Sequence, residues 1–131
     1  RASAGSLDVR WLDQPAERIG LADDSMDTVV LTYTLCTIPD WRQALSEIRR
    51  VLKPQGRLLF AEHGAAPDLR LFRWQQRLNP VWEKLLGGCQ LQRPIPILLE
   101  QGGFKLQSLE HGYVDAPKLA AYQYRGTALA A

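Results

Sequence analysis

Residues Asp27 to Glu62 read DTVVLTYTLCTIPDWRQALSEIRRVLKPQGRLLFAE, and this stretch decides the fold. It opens on an uncharged β-branched run, Thr28 to Thr34, which predicts a central strand. Asp40 then starts a helix, and Gln43 three residues on completes a capping box. Trp41, Ala44, Leu45, Ile48, Val51 and Leu52 fall at helical spacing on one face, with Arg42, Glu47, Arg49 and Arg50 on the other. Lys53-Pro54-Gln55-Gly56 ends the helix and turns the chain into a second apolar run, Arg57 to Ala61. Gln55 stands where a type II turn wants glycine, which predicts a type I turn or mild strain. The whole is one βαβ unit, with two parallel strands expected to be buried on both faces.

Upstream, Leu7-Asp8-Val9-Arg10-Trp11-Leu12 alternates apolar and polar and predicts a short strand. Asp13 to Ser25 is a loop holding Pro15, Gly20 and the pair Asp23-Asp24, read as a solvated turn. Downstream, Asp68 to Leu86 is helical, with Leu71, Trp74, Gln75, Leu78, Val81, Trp82 and Leu85 roughly on one side. Asn79-Pro80 carries the signal of an N-cap followed by a first-turn proline, so two short helices are expected. Gly87-Gly88 stops the second. Arg93-Pro94 opens a helix through Ile95 to Gln101, closed by Gly102-Gly103. Phe104 to Val114 and Ala121 to Ala130 read as strands. No helical crossover joins them, so they should pair antiparallel.

The chain of 131 residues is one domain by length, and 46% apolar content suffices for a single core. Sixteen basic and fourteen acidic residues leave a net charge of +2, too small to argue for nucleic acid or an anionic membrane. Arg49-Arg50 and Lys53 sit at a helix end, where the macrodipole accounts for them. Cys36 and Cys89 are far apart in sequence and form no metal-binding spacing. A disulfide between them is open, and reduced thiols in a cytoplasmic protein are the default. No run approaches the roughly 18 apolar residues of a membrane span. The chain begins at Arg1 with Met26 as its only methionine, which reads as a trimmed or fragmentary sequence.

A parallel βαβ unit, a further helix and an antiparallel terminal hairpin resemble the C-terminal half of the Rossmann-like sheet of class I S-adenosylmethionine-dependent methyltransferases. Two motifs carry that resemblance. Leu21-Ala22-Asp23-Asp24-Ser25-Met26-Asp27 resembles the family's lead into its fourth strand. Glu47-Ile48-Arg49-Arg50-Val51-Leu52-Lys53-Pro54-Gln55-Gly56 resembles the helix and turn before its fifth. A closer resemblance is to the methyltransferase-like family that includes the alkyl thiol methyltransferases. It rests on Thr34-Leu35-Cys36, Phe60-Ala61-Glu62-His63-Gly64-Ala65-Ala66, Trp74-Gln75-Gln76, Asn79-Pro80-Val81-Trp82, and Leu85-Leu86 with Gly88-Cys89-Gln90-Leu91 and Arg93.

The resemblance implies a single partial methyltransferase domain over residues 1–131. The family's glycine-rich first turn and ribose-binding acid have no counterpart in this sequence. It implies S-adenosyl-L-methionine as cofactor, met by Asp13, Ala16 and Glu17 near the adenine and by Thr34, Leu35 and Cys36 at the end of the central strand. Where the family often has an adenine-side aspartate, Pro15 stands here. Ligands of open parallel sheets lie beyond the carboxyl ends of the strands, so Thr34 to Cys36 and Glu62-His63 should open onto one crevice. Methyl transfer is chiefly a positioning task, and backbone carbonyls of Thr34 to Cys36 could face the sulfonium. His63, with Glu62, is the candidate base for an acceptor such as a thiol. The competing reading is that His63 caps or packs beneath the following helices. Trp74, Gln75 and Cys89 are candidates for the acceptor site; ordinary helix packing competes for that stripe.

The expected activity is methyl transfer to a small apolar acceptor such as an alkyl thiol, with the fragment itself inactive. The alternatives are a quinone or lipid acceptor, or a non-catalytic fragment lacking the cofactor cradle. A dinucleotide-dependent oxidoreductase is disfavoured by the antiparallel hairpin. No metal, nucleic acid or integral membrane segment is expected. A long apolar edge on the central strand predicts self-association as a dimer or a domain-swapped assembly.

Overall fold

The computed structural model describes residues 7–85, 87–115 and 121–131. The elements are β1 (Met26–Thr32), α1 (Trp41–Val51), β2 (Leu52–His63), α2 (Leu69–Leu85), α3 (Ile95–Gln101), β3 (Phe104–Tyr113) and β4 (Tyr122–Ala130). They build one four-stranded sheet in the order β1-β2-β4-β3. β1 and β2 are parallel, with Val30 beside Leu59 and Thr32 beside Ala61. β4 slots between β2 and β3 and runs antiparallel to both. The expected α/β class, parallel βαβ unit and antiparallel terminal hairpin are all present.

α1 forms where its sequence says it should. The Asp40 side chain accepts from the Gln43 amide at 3.0 Å, supplying one of the acceptors that a helix start lacks. Arg49 and Arg50 occupy the last turn. Ala44, Leu45, Ile48 and Val51 are buried, and Leu45 and Ile48 share one core with Leu31, Leu58 and Phe60 of the sheet and Ile95, Leu98 and Leu99 of α3. An isolated helix of this length would be marginal in water, so this packing holds it. At the far side of the sheet a bulge falls between Leu106 and Ser108. There the Ser108 carbonyl approaches Gly126 so closely that a Cβ would lie 2.0 Å away. Only glycine fits that contact.

Residues Leu21 to Ser25 form the expected solvated turn, with Asp23 and Asp24 exposed, and are also tied to α1. Arg50 donates to the carbonyls of Ile19 at 2.7 Å and Leu21 at 2.8 Å, and to the Asp23 carboxylate at 2.7 Å. Glu47 accepts from the Ile19 amide at 2.8 Å and pairs with Arg50. Arg50 therefore clips a loop, a larger task than the dipole role expected of it, and Asp23 is its partner.

Four expectations change. Leu7 to Leu12 form no strand, and all six are exposed; a strand needs a ladder partner, and among the described residues β1 pairs only with β2. Second, β1 and β2 are covered on one face only: Leu31, Leu58 and Phe60 are buried, while Val30 is 61% exposed and Leu59 38%. Third, Lys53 to Gly56 bulge out within β2 instead of separating a helix from a later strand. Pairing jumps from Met26–Leu52 to Thr28–Arg57, and Gln55 is not among the non-glycine residues at positive φ. Fourth, α2 runs through Pro80 without a break. Asn79 does not cap there; it is buried, and its Oδ1 accepts from the Leu91 amide at 2.9 Å. That bond ties the helix interior to the chain entering α3.

Candidate functional site

The chain leaves β1 through Tyr33, which has φ +50. A non-glycine residue there is uncommon, and such backbone strain concentrates at functional positions. The left-handed residue turns the next three amides inward onto Glu62. That carboxylate is fully buried. Its Oε1 accepts from Thr34 at 2.9 Å and Leu35 at 3.0 Å, and its Oε2 from Cys36 at 3.3 Å.

Arg93, also buried, holds the same turn from its other side. Its Nη1 donates to the carbonyls of Leu35 at 2.5 Å and Ile38 at 2.8 Å, and its Nε to Gln90 at 3.2 Å. An acid takes the amides, and a base takes the carbonyls. Burial pushes the Glu62 carboxyl above its ordinary value, while the three amides and Arg93 pull it back. Burial likewise pulls Arg93 down. The backbone of the turn, more than the other charge, supplies the polar partners of each.

Beyond this turn lies a cavity lined by Tyr33, Cys36, Thr37, His63, Trp82 and Cys89. It sits at the carboxyl ends of β1 and β2, where the crevice was expected. The Tyr33 and His63 rings lie 4.5 Å apart. Cys89 Sγ is 3.2 Å from Cys36 Sγ, and both thiols are free. The Cys36 thiol and the Trp82 indole hold the Cys89 thiol down to about 7, while Cys36, in contact with Cys89 and buried, is pushed up.

His63 leads into Gly64, whose position admits no side chain: a Cβ would lie 2.6 Å from the Tyr124 ring and 2.9 Å from the Arg93 carbonyl. Gln75 completes this shell from α2. It is fully buried, accepting from the Ala66 amide at 3.0 Å and donating to the Gly64 carbonyl at 3.5 Å.

Several expected site residues therefore sit differently from their forecast. His63 and Cys89 meet in one cavity. Glu62 lies beneath the turn with both oxygens on amides, where it organises the backbone rather than facing an acceptor. The side chains of Leu35 and Cys36 are buried at 0% and 1% exposure, leaving Thr34 half-exposed at the rim. The carbonyls of Thr34, Leu35 and Cys36 are engaged by Thr37 and Ile38, by Arg93 and by Gln90. Each of those carbonyls thus already accepts at least one hydrogen bond within the turn or its supports.

Trp74 is 54% exposed and lines a separate cavity with Asp68, Leu71, Tyr113 and Val114. Gln75 braces the segment after β2 rather than opening onto space. Asp13 is exposed, and Ala16 and Glu17 are half-buried. The Glu17 carbonyl accepts from Gln43 in the first turn of α1 at 3.3 Å, which brings this loop to the crevice end of the sheet. Sequence reasoning missed Tyr33, whose backbone state has no sequence signal. It gave Trp82 no role at the site, although the spacing of Gln75, Asn79 and Trp82 by four and three residues marks the inward face. No group of three or more His, Cys, Asp or Glu fit to hold a metal occurs among the described residues. No helix among them is long and apolar enough to cross a membrane.

Residues 1–60 match the methyltransferase domain family. The human thiol S-methyltransferase TMT1B is 44% identical over 103 residues, covering 77% of this chain and 42% of that protein. Over these residues the chain is similar to class I methyltransferases. The human thiol S-methyltransferase TMT1A is 40% identical over 98 residues, covering 74% of the chain and 39% of the relative. The chain thus spans about two fifths of the length of these curated relatives. A crystal structure of an S-adenosylmethionine-dependent methyltransferase from Methanosarcina mazei superposes with a TM-score of 0.69 over 88% of this chain and 64% of its own, at 20% identity. That likeness concerns the fold. The two relatives and this fold agree in likening the chain to S-adenosylmethionine-dependent methyltransferases, and in sequence to the thiol methyltransferases.

Proposed function

We propose that this chain contributes the acceptor side of an enzyme that transfers a methyl group from S-adenosylmethionine to a small apolar acceptor, with an alkyl thiol favoured. The observation that carries the reading is the cavity at the ends of β1 and β2, where His63 faces apolar and aromatic walls beside a rigid turn. The resemblance to the thiol S-methyltransferases supports the choice of acceptor. The cofactor would supply an electrophilic methyl on a sulfonium. The residues present fit one side of it: Tyr33 and Thr34 at the rim, with Asp13, Ala16 and Glu17 on the loop that reaches the start of α1.

Within the chain, the work is positioning and proton removal. Glu62 and Arg93 fix the turn from Tyr33 to Ile38 so that the rim keeps its shape while an acceptor docks. The rings of Tyr33 and Trp82 exclude water from the acceptor. His63 takes the proton of a thiol, since the thiolate is the competent nucleophile. A quinone or lipid acceptor, and a non-catalytic role, are the competing outcomes.

Two measurements separate them. Calorimetry with S-adenosylmethionine should detect binding by a polypeptide that includes these residues; no binding by any such form would remove the methyltransferase reading. A methyl-transfer assay across alkyl thiols, quinones and phospholipids should show turnover on thiols, and turnover on quinones alone would discard the thiol. In that assay His63→Ala should lower kcat/KM on thiols by about a hundredfold and abolish the limb of the pH–rate profile that reports the base. An unchanged profile would remove His63 from proton transfer.

A further inference from the structure

Two cysteines distant in sequence meet in the wall of the cavity, and their environments differ. Cys36 belongs to the turn fixed by Glu62 and Arg93, and its Sγ also lies 3.5 Å from the Thr37 hydroxyl. Cys89 follows Gly87 and Gly88, at φ +66 and +88, on the connection from α2 to α3. The two segments are joined beside the sulfurs by the Gln90 amide, which donates to the Cys36 carbonyl at 2.9 Å. A sulfur separation of 3.2 Å exceeds a disulfide bond by only about 1.2 Å. Cys36 lies in the turn fixed by Glu62 and Arg93, so closing that gap falls to the Cys89 side. We propose that Cys36 and Cys89 form a reversible dithiol–disulfide site in the cavity wall, oxidised by peroxide.

The two thiols divide the chemistry. Cys89, held down to about 7 by the Cys36 thiol and the Trp82 indole, is the attacking thiolate near neutral pH. Arg93 favours that charge, burial and Glu62 oppose it, and His63 lines the same cavity. Cys36, pushed up by its bond to Cys89 and by burial, keeps its proton and acts second. In the first step the Cys89 thiolate attacks a peroxide oxygen. The S–O bond forms, the O–O bond breaks, and hydroxide leaves, giving a sulfenic acid. In the second, the Cys36 sulfur attacks the Cys89 sulfur. The S–S bond forms, the S–O bond breaks, and the sulfenic hydroxyl leaves as water with the Cys36 proton. Two electrons pass from the thiol pair to the peroxide, and a dithiol reductant returns them. The bond removes the thiolate from the cavity and staples the 87–89 segment to the turn after β1. This site stands independently of methyl transfer.

The test is mild oxidation of the folded, untreated chain with hydrogen peroxide, followed by denaturation, maleimide labelling and intact-mass measurement. The expected result is joint loss of both labelled thiols, a fall of about 2 Da, an intramolecular Cys36–Cys89 peptide, and full reversal by dithiothreitol. Cys36→Ser should leave Cys89 trapped as a sulfenic acid that dimedone captures, and should slow its alkylation at pH 7 by about tenfold. Cys89→Ser should leave Cys36 unreacted over the same interval. A folded protein, by circular dichroism, whose thiols go to sulfinic acid without the link overturns the proposal. So does a link that forms only between molecules.

Discussion

Glu62 shows how much one side chain can decide. A carboxylate at the end of a parallel strand, followed by histidine, suggests general-base chemistry on paper. In the fold it is wholly buried and accepts three amides from the turn after β1. Its removal therefore acts on structure first. Glu62→Gln retains the shape but turns an amide donor toward other donors. It should lower the free energy of unfolding by about 2 kcal/mol, read from urea titration. Loss of activity in that variant without loss of stability would restore a direct role in chemistry. Gly64 is a sharper probe of the same shell. Gly64→Ala would press a methyl into the Tyr124 ring and the Arg93 carbonyl. Tyr124 is itself held by its hydroxyl on the Ala65 carbonyl at 2.6 Å, so the ring cannot simply swing away.

At the scale of elements, α1 and its clipped loop make a pH-sensitive unit. Arg50 and the Ile19 amide hold the Glu47 carboxyl down to about 2 from an ordinary 4.5. Because the folded value is the lower one, this contribution is complete above about 4.5 and is lost as pH falls toward 2. The Ile19 amide resonance should follow that titration, with a midpoint near 2 in wild type. Glu47→Gln should abolish the titration. A midpoint near 4.5 would show that the clip is not formed in solution.

α2 offers a second test. Asn79→Ala strands the Leu91 amide and should cost about 1–3 kcal/mol, whereas an exposed asparagine cap would cost less than this upper range. The same elements show what a sequence can reveal. α1 was legible because its cap, apolar face and terminal basic residues all agree. The α2 break at Asn79-Pro80 was misread because Asn has two uses, capping a helix or satisfying a buried amide, and only the distant Leu91 backbone chooses between them. The left-handed Tyr33 and the Cys36–Cys89 approach depend likewise on long-range packing. His63 and Cys89 were found because each stands at a strand end or after a glycine pair, while the wall Trp82 lay among other apolar residues of its helix stripe.

The whole molecule presents one packed face and one open one. α1 and α3 cover the side of the sheet that carries Leu31, Leu58 and Phe60, while Val30 and Leu59 lie exposed on the other. β1 is also an edge strand, paired only with β2 among the described residues. An unpaired edge beside an uncovered apolar surface is a template for another strand, and Trp11, at 92% exposure, adds to the apolar surface outside the core. The 131-residue chain on its own should therefore self-associate, giving a concentration-dependent dimer or larger species in sedimentation equilibrium at micromolar loading. Val30→Lys places a charge on the open face without touching the α1 side, and should shift that equilibrium toward monomer by about tenfold or more. The variant should keep the native circular dichroism spectrum, since Val30 contributes little to the buried core. A monomeric wild-type chain at these concentrations, or a Val30→Lys variant that associates equally well, would show that neither the edge nor the open face drives assembly.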